Sequence, residues 1–318
     1  MFLIDAISAV LVYRLTLIVL TTLVLLTLAS QFGQFLYLEL TTHFRLQYVI
    51  ASVACAVALT LLQSWKFLPI AILCAILNAV YLGPYLTSNV SDEVKPSGVH
   101  VRLLHANVLK LNTNYQAVLD LVNESNADVV VLQEITDDWV EHIKELEKNY
   151  PYSAIEPRLQ GAGMAIFSRH PFDDLQQLKL DDSTHLAIFA KVKPGGRSLS
   201  LLSMHPTTPI TPTKFKNRNL QFTAAAELMK RTDGSKVLIG DLNITMWSPY
   251  FRKLVENSGL RDSRVGFGLN TSWPMPLPSF LRLPIDHCLV SNDIHVDQFK
   301  IGSKTGSDHR PIIVDLTF

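Results

Sequence analysis

The sequence predicts an α/β domain of two packed sheets flanked by helices, preceded by a membrane-spanning region of about three helices. Three observations predict it. From residue 99 onward, short apolar runs of strand type alternate with segments of helical period. Several of those runs close on a polar residue that should not be buried alone. Before residue 97, three long runs are almost free of charge. The chain has 318 residues, a length that suggests about two folded units.

Charge separates the two parts only by density. The chain carries 28 Lys/Arg and 28 Asp/Glu. Residues 1–96 hold four of each sign: Arg14, Arg45, Lys66 and Lys95 against Asp5, Glu39, Asp92 and Glu93. Residues 97–318 therefore hold 24 of each. A neutral domain lacks the broad basic footprint of a protein that grips duplex DNA without sequence preference, although a local basic cleft is compatible with it. Of the three cysteines only Cys288 lies beyond the apolar part, so the C-terminal part can form no internal disulfide, and no Cys/His zinc spacing is present.

The N-terminal runs span residues 15–30, 46–62 and 67–86. Each supplies about 17–22 residues, enough to cross a hydrocarbon core of about 30 Å as helix. The alternative, a buried hairpin of a soluble protein, fits poorly with three near-chargeless stretches in succession. A cleaved signal peptide fits poorly too, because the first run is followed by more of the same. Residues 1–90 thus read as a multi-pass anchor in a lipid bilayer, and residues 91–98, polar with Pro and Gly, as a linker. Arg14 and Lys66 outweigh Arg45 under the positive-inside rule, which places the N-terminus in the cytoplasm and residues 99–318 on the outer face, the periplasm for a bacterial inner membrane.

In the C-terminal part, "VHVRLLHANV" reads as a strand ending near Asn107, followed by a helix with Tyr115, Val118, Leu119 and Val122 on one face. "ADVVVLQEI" is an apolar strand with Glu134 at its end, and Trp139, Ile143 and Leu146 mark the next helix. Strands follow at "GMAIFSR", "LAIFAKV", "SLSLLSMH" and "KVLIGDLN", with a helix before the last carrying Leu220, Ala224 and Leu228 on one face. A helix near 249–257 and strands at "IDHCLVS", "VDQFKI" and "RPIIVDLTF" complete the chain. Many strands with helices between them suggest two sheets packed face to face.

The strands end in Asn107, Glu134, His205, Asp241 with Asn243, Asp286, and Asp308 with His309. Strand ends at one rim are where loops gather side chains into a site. By strand alternation Val237, Ile239, Asp241 and Asn243 share a face, as do Leu199, Leu201, Ser203 and His205. Each residue also has a bland role. Asn107 and Asn243 fit turns, Glu134 fits a helix N-terminus, His205 fits a loop, Asp286 fits an ion pair with Arg282 or Arg310, and "SDH" fits a strand-opening turn. Their joint occurrence at similar strand ends favours a common site.

"HANV", "VVLQE", "MAIFSR", "SMHP", "GDLN", "IDHCLV" and "SDHRPI" occur in an order that resembles the endonuclease/exonuclease/phosphatase superfamily, with the apolar N-terminus similar to its membrane-anchored bacterial branch. The resemblance covers about residues 99–318. It implies a four-layer α/β/β/α sandwich and a phosphoesterase that uses Mg²⁺, with Mn²⁺ as the alternative ion. Glu134, a hard oxygen donor, suits Mg²⁺, with Asn107 and Asp308 beside the ion. His309 titrates near neutrality and suits a general base acting on water, and the resemblance places Asp286 behind it as the orienting acid. Asp241 would hold the attacking water, Asn243 a nonbridging oxygen, and His205 would donate to the phosphate. Asn107 also suits a phosphate contact.

Arg218, with Asn219, could reach substrate from a helix start or lie on a solvated helix face. His287 should point to the opposite sheet face from Asp286 and is read as structural. Residues 272–284, "SWPMPLPSFLRLP", form an apolar cleft wall or a lipid-facing surface. The expected substrates are phosphate esters: lipid headgroups first, nucleotides or nucleic acid second. A noncatalytic binding module is the weakest of the three readings. No protein partner is evident.

Overall fold

A computed structural model describes residues 2–87, 97–158, 163–181 and 185–318. Most of the expected linker, residues 91–96, lies outside the described residues. The chain divides into two compact units, Met1–Pro84 with Trp247–Pro249 and Tyr85–Met246 with Tyr250–Phe318.

The first unit is helical: α1 (Phe2–Ala29), α2 (Leu36–Thr42), α3 (Arg45–Leu61) and α4 (Leu68–Ala79), with a four-residue α5 (Gly83–Leu86) at its border. The expected three-helix membrane region is corrected here. Among the described residues only the segment Ser8–Phe32, 25 residues, is by itself long and apolar enough to cross a membrane, and its character fits a membrane span or a signal sequence alike. A second candidate arises only if α2 and α3, bent by 63°, count as one span. The third run fails because α4 has 12 residues, about 18 Å of helix against a core of about 30 Å. A turn at residues 80–82 then separates α4 from α5, which Gly83 and Pro84 open.

The orientation reading loses its basis as well. Arg45 is no loop charge: it opens α3 fully buried, with Nη1 donating to Asn78 Oδ1 at 2.9 Å and Nη2 to the Ser30 carbonyl at 3.3 Å. Multi-pass insertion and an outer-face C-terminal domain are therefore not carried forward.

The second unit contains β1 (His100–Asn107), α6 (Tyr115–Ser125), β2 (Val129–Gln133), α7 (Asp137–Ile143), β3 (Tyr152–Glu156), β4 (Met164–Ser168), β5 (Phe172–Lys179), β6 (Leu186–Val192), β7 (Leu199–Met204), α8 (Pro212–Arg231), β8 (Ser235–Asp241), α9 (Pro249–Ser258), β9 (Arg261–Asp262), β10 (Asp286–Val290), β11 (His295–Ile301) and β12 (Ile312–Thr317). They form two six-stranded mixed sheets, ordered β11-β12-β1-β2-β4-β3 and β5-β6-β7-β8-β10-β9. Each sheet has one parallel pair near its centre, β1 with β2 and β7 with β8, and each pair is joined through a helix, α6 and α8. The remaining pairings are antiparallel.

Strand alternation builds the core. Val101 and Leu103 of β1, Val129 and Val131 of β2, Leu199 and Leu201 of β7, Val237 and Ile239 of β8, and Cys288 and Val290 of β10 pack in one cluster between the sheets. The opposite phase of the first sheet, including Leu104, Val130 and Leu132, packs on Val118, Val122 and Trp139 of α6 and α7. On the second sheet, Lys236 of β8 donates to the Met229 carbonyl of α8 at 2.7 Å, and the Phe251 ring of α9 lies 4.5 Å from that of His287.

Strands β3 and β5 were not expected. Both are sheet edges with half-exposed, polar-rich sequences, so the alternation that marks a buried strand is weak. The buried face of α8 also differs from expectation: Phe222, Ala225, Ala226 and Met229 face inward, while Leu220 is 48% exposed.

Candidate active site

The inward phase of five strands turns polar at one end of the inter-sheet core. Beyond Leu103 of β1 come His105 and Asn107; beyond Val131 of β2 comes Gln133; beyond Leu201 of β7 comes Ser203; beyond Ile239 of β8 comes Asp241; and β10 begins at Asp286. The parallel strands contribute their C-terminal ends and the antiparallel β10 its start. Asp286 therefore pairs with Asp241 and Asn107 with Gln133 in register. His309 precedes β12 and reaches the same rim.

A chain of contacts links the expected residues. Asp286 Oδ2 lies 2.9 Å from His309 Nδ1, and His309 Nε2 lies 3.5 Å from Asp241 Oδ2. His205 Nε2 is also 3.5 Å from that oxygen, and Asn107 Nδ2 donates to it at 3.2 Å. The same Asn107 nitrogen donates to Glu134 Oε1 at 3.0 Å, and the Lys110 N–H donates to Glu134 Oε2 at 3.0 Å. Glu134 sits just past β2 with φ 68°, a left-handed conformation costly for a side chain of this kind.

Asn243 lies beyond the end of β8, in a turn with φ 52° rather than on the strand face with Asp241. Its N–H donates to Asp241 Oδ1 at 2.9 Å and its Nδ2 to the Pro206 carbonyl at 3.0 Å. Asp308 accepts from Trp273 Nε1 at 2.9 Å, and its carbonyl accepts from the Met275 N–H at 2.7 Å. Residues 272–284 thus lean on the site through Trp273, while Phe280 (50%) and Leu281 (40%) stay exposed.

Arg218 is not brought to these residues. Its side chain is fully buried, donates to Asn219 Oδ1, and lies over the rings of Phe215, Phe222 and Tyr250. His287 points away from Asp286, with its ring nitrogens 3.0 Å from Arg264 Nη1 and 2.8 Å from the Ile244 carbonyl.

Two residues close to the chemistry were missed from sequence. His105 Nε2 lies 3.0 Å from Asp286 Oδ1, and the imidazole is completely buried. Gln133 is equally buried; its Nε2 donates to the Met204 carbonyl and its Oε1 accepts from the Asp241 N–H, each at 3.0 Å. The signal was there: both lie on the inward phase of their strands, directly after aliphatic inward residues, Leu103 before His105 and Val131 before Gln133. The Gly of "GDLN" has a steric reason, since a Cβ on Gly240 would stand 2.0 Å from the Met204 carbonyl oxygen.

The electrostatics follow from this crowding. Burial alone would lower the His309 pKa, but Asp286, Asp241 and Asp308 outweigh it and push it up to about 10. Burial works to raise Asp286, yet His309 and His105 hold it well below the usual carboxylate range. Asp241 is likewise held low, against burial, by His309 and His205. His205 is raised, against burial, by its bond to and the charge of Asp241, with Glu134 adding.

The donor set fits a divalent cation. Glu134 and Asp241 converge on a single neutral amide, and the charge that raises His309 shows a local surplus of carboxylate. Hard oxygen donors of this kind suit Mg²⁺ or Mn²⁺. Asp241, Asp286 and His309 also place ligand atoms within 4.8 Å of one another. In that trio the His309–Asp286 hydrogen bond already occupies one atom of each partner.

The two six-stranded sheets, packed face to face between helices, define an α/β sandwich. Residues 103–309 match the model of the Endonuclease/Exonuclease/phosphatase family, and the chain belongs to that family. No curated protein matches the chain significantly. Similar solved structures include TDP2 of D. rerio complexed with single strand DNA product (16% identity, TM-score 0.59, 69% of this chain and 99% of that one). Another is an endonuclease/exonuclease/phosphatase family protein from Bacteroides thetaiotaomicron (19%, TM-score 0.58, 70% and 96%). A third is sphingomyelinase C from Streptomyces griseocarneus (16%, TM-score 0.53, 68% and 99%). At these identities the likeness shows the fold.

Proposed function

We propose that the protein is a divalent-metal-dependent phosphoesterase that cleaves phosphodiesters by water attack, held at a membrane by its apolar N-terminal helix. The observation that supports this is the unbroken chain of contacts Asp286–His309–Asp241–Asn107–Glu134 at one rim, the arrangement that a base, its orienting acid and a hard-oxygen cation seat would need.

In this reading Asp286 fixes His309 with its proton on Nδ1, and Nε2 faces Asp241 and the attacking water. Asp241 holds that water as an acceptor, and His309 takes its proton as the oxygen attacks phosphorus. His205, with Nε2 toward the same point, donates to the phosphate as its charge grows. Asn243 orders the turn beside Asp241 and offers its amide to a nonbridging oxygen. Glu134, Asn107 and Asp308 are the residues that would hold the cation. When bound there, it polarises the phosphoryl group, stabilises the leaving oxygen and offsets the carboxylate charge that raises His309.

The substrate class divides by a panel. The full-length protein is offered bis(p-nitrophenyl) phosphate, phospholipid vesicles, supercoiled plasmid and single-stranded oligonucleotide, each with Mg²⁺. Headgroup release without nicking supports a lipid phosphodiesterase. Nicking or oligonucleotide cleavage without headgroup release supports the nuclease alternative, for which the likeness to the DNA-bound TDP2 is the specific support. Failure on all diesters sinks the proposal. Membrane attachment is tested by alkaline extraction of membranes; release into the soluble fraction would contradict it.

A further inference from the structure

One imidazole at the site has no part in the reaction above. His105 lies two residues before the end of β1, on the inward phase that begins with Val101 and Leu103. Continuing that phase with an aliphatic residue would extend the core; a histidine there must find a polar partner or cost stability. Its partner comes from the other sheet: Nε2 is 3.0 Å from Asp286 Oδ1, and neither side chain is exposed. Asp286 Oδ2, on the same carboxylate, is 2.9 Å from His309 Nδ1.

The hydrogen-bond directions follow. An ionised carboxylate only accepts, so His105 must carry its proton on Nε2 and donate. Nδ1 of His105 is buried without a hydrogen-bond partner among the described residues, so the ring is held by this one bond and by packing. Asp286, on the second sheet, therefore receives one N–H on each oxygen, both from the first sheet: one from β1 and one from the segment that leads into β12. A carboxylate held at both oxygens cannot rotate about its own axis without breaking a bond. A carboxylate held only at Oδ2 would leave Oδ1 buried and unsatisfied, and would turn to share its remaining donor.

We propose that His105 is a positioning residue: by holding Asp286 Oδ1, it fixes Oδ2 against His309 Nδ1 and thereby aims His309 Nε2 at Asp241 and the attacking water. The proposal rests on the phosphodiesterase reading for its kinetic consequence, but its geometric content stands apart from that reading.

The test uses the full-length protein and bis(p-nitrophenyl) phosphate. His105→Leu removes the donor and keeps an apolar volume; His105→Gln keeps a side-chain nitrogen at similar reach. His105→Leu should lower kcat by about 10–100-fold with KM nearly unchanged, as loss of an outer partner typically does, and His105→Gln should recover most of it. In an Asp286→Asn background, His105→Leu should lower kcat little further, because it acts through the residue already altered. A merely structural histidine would give Leu and Gln variants that lose activity alike, and losses that multiply in the double variant; either result overturns the proposal.

The second readout needs no turnover. The downfield proton resonance of His309 Nδ1–H against Asp286 should be present in the wild type, shifted or lost in His105→Leu and kept in His105→Gln. A resonance unmoved by His105→Leu refutes the positioning role. Wild-type protein that hydrolyses no diester refutes the functional reading, and the resonance still decides the fate of His105.

Discussion

Gln133→Leu offers a direct test of how the two sheets are locked at the rim. Recorded pairing of β7 with β8 stops at Ser203 and Ile239. Beyond it the Gln133 carboxamide from the other sheet is interposed, donating to the Met204 carbonyl and accepting from the Asp241 N–H. The Asp241 N–H has no partner across β10, where it is Leu242 that bonds to Ile285. Leucine fills a similar volume, so the cavity contribution is small, but it leaves two buried backbone groups facing an alkyl chain. At about 1–3 kcal/mol for each unsatisfied group, the variant should lose about 2–6 kcal/mol. Asp241 should also shift, and a misplacement of about 1 Å can cost about 100-fold in rate. Urea unfolding followed by tryptophan fluorescence gives the first quantity and steady-state kinetics the second. Gln133→Glu, which removes the donor to Met204, should fall between wild type and Leu at acidic pH and lose more at neutral pH. A loss under about 0.5 kcal/mol for Gln133→Leu, with unchanged kcat, would refute the locking argument.

Three further outcomes are expected. Asp286→Asn should lower kcat by about 100–10,000-fold with little change in KM, because the amide cannot accept from both imidazoles; a purely KM effect in steady-state kinetics would contradict its orienting role. Arg218→Lys should lower Tm while leaving KM for the diester unchanged, since the guanidinium lies among Phe215, Phe222 and Tyr250; a raised KM at wild-type Tm would restore it to the substrate site. Stability should fall as pH drops from about 6.5 toward 3, because burial, then Arg264, hold His287 down to about 3 while the unfolded chain takes up that proton. His309 acts with the opposite sign: raised to about 10, it stabilises the metal-free fold fully below 6.5, and that contribution is lost as pH rises through 10. Urea midpoints across pH in wild type and His287→Gln check the acid limb; an identical slope in both would refute it.

The parts of the fold that were legible are those where burial is complete on a regular period. The inner strands β1, β2, β4, β6, β7, β8, β10 and β12 are continuous apolar runs, and the polar residues that close them mark one rim because the inward phase is shared. Edge strands β3 and β5 escaped because solvent permits polar residues there. His105 and Gln133 escaped for a different reason: an inward polar residue inside an apolar strand reveals its purpose only once the opposite sheet supplies Asp286, Met204 and Asp241. The surroundings of Arg218 were not legible because a cation near a helix start looks the same in sequence whether aromatic rings enclose it or solvent does. At the N-terminus, hydropathy found the apolar runs but not how far each helix extends: α3 covers 17 residues, and a turn at residues 80–82 cuts the third run to the 12 residues of α4.

The central claim, a diester-cleaving site that needs a cation at Glu134 and a base at His309, is tested most directly by bis(p-nitrophenyl) phosphate hydrolysis before and after chelation. Wild-type protein should lose turnover in EDTA and regain it with excess Mg²⁺. Glu134→Gln should need about 10-fold or more Mg²⁺ for half-maximal rate, and His309→Ala should stay inactive at any Mg²⁺ concentration. Full turnover in EDTA with no bound metal, or an active His309→Ala, would contradict the account.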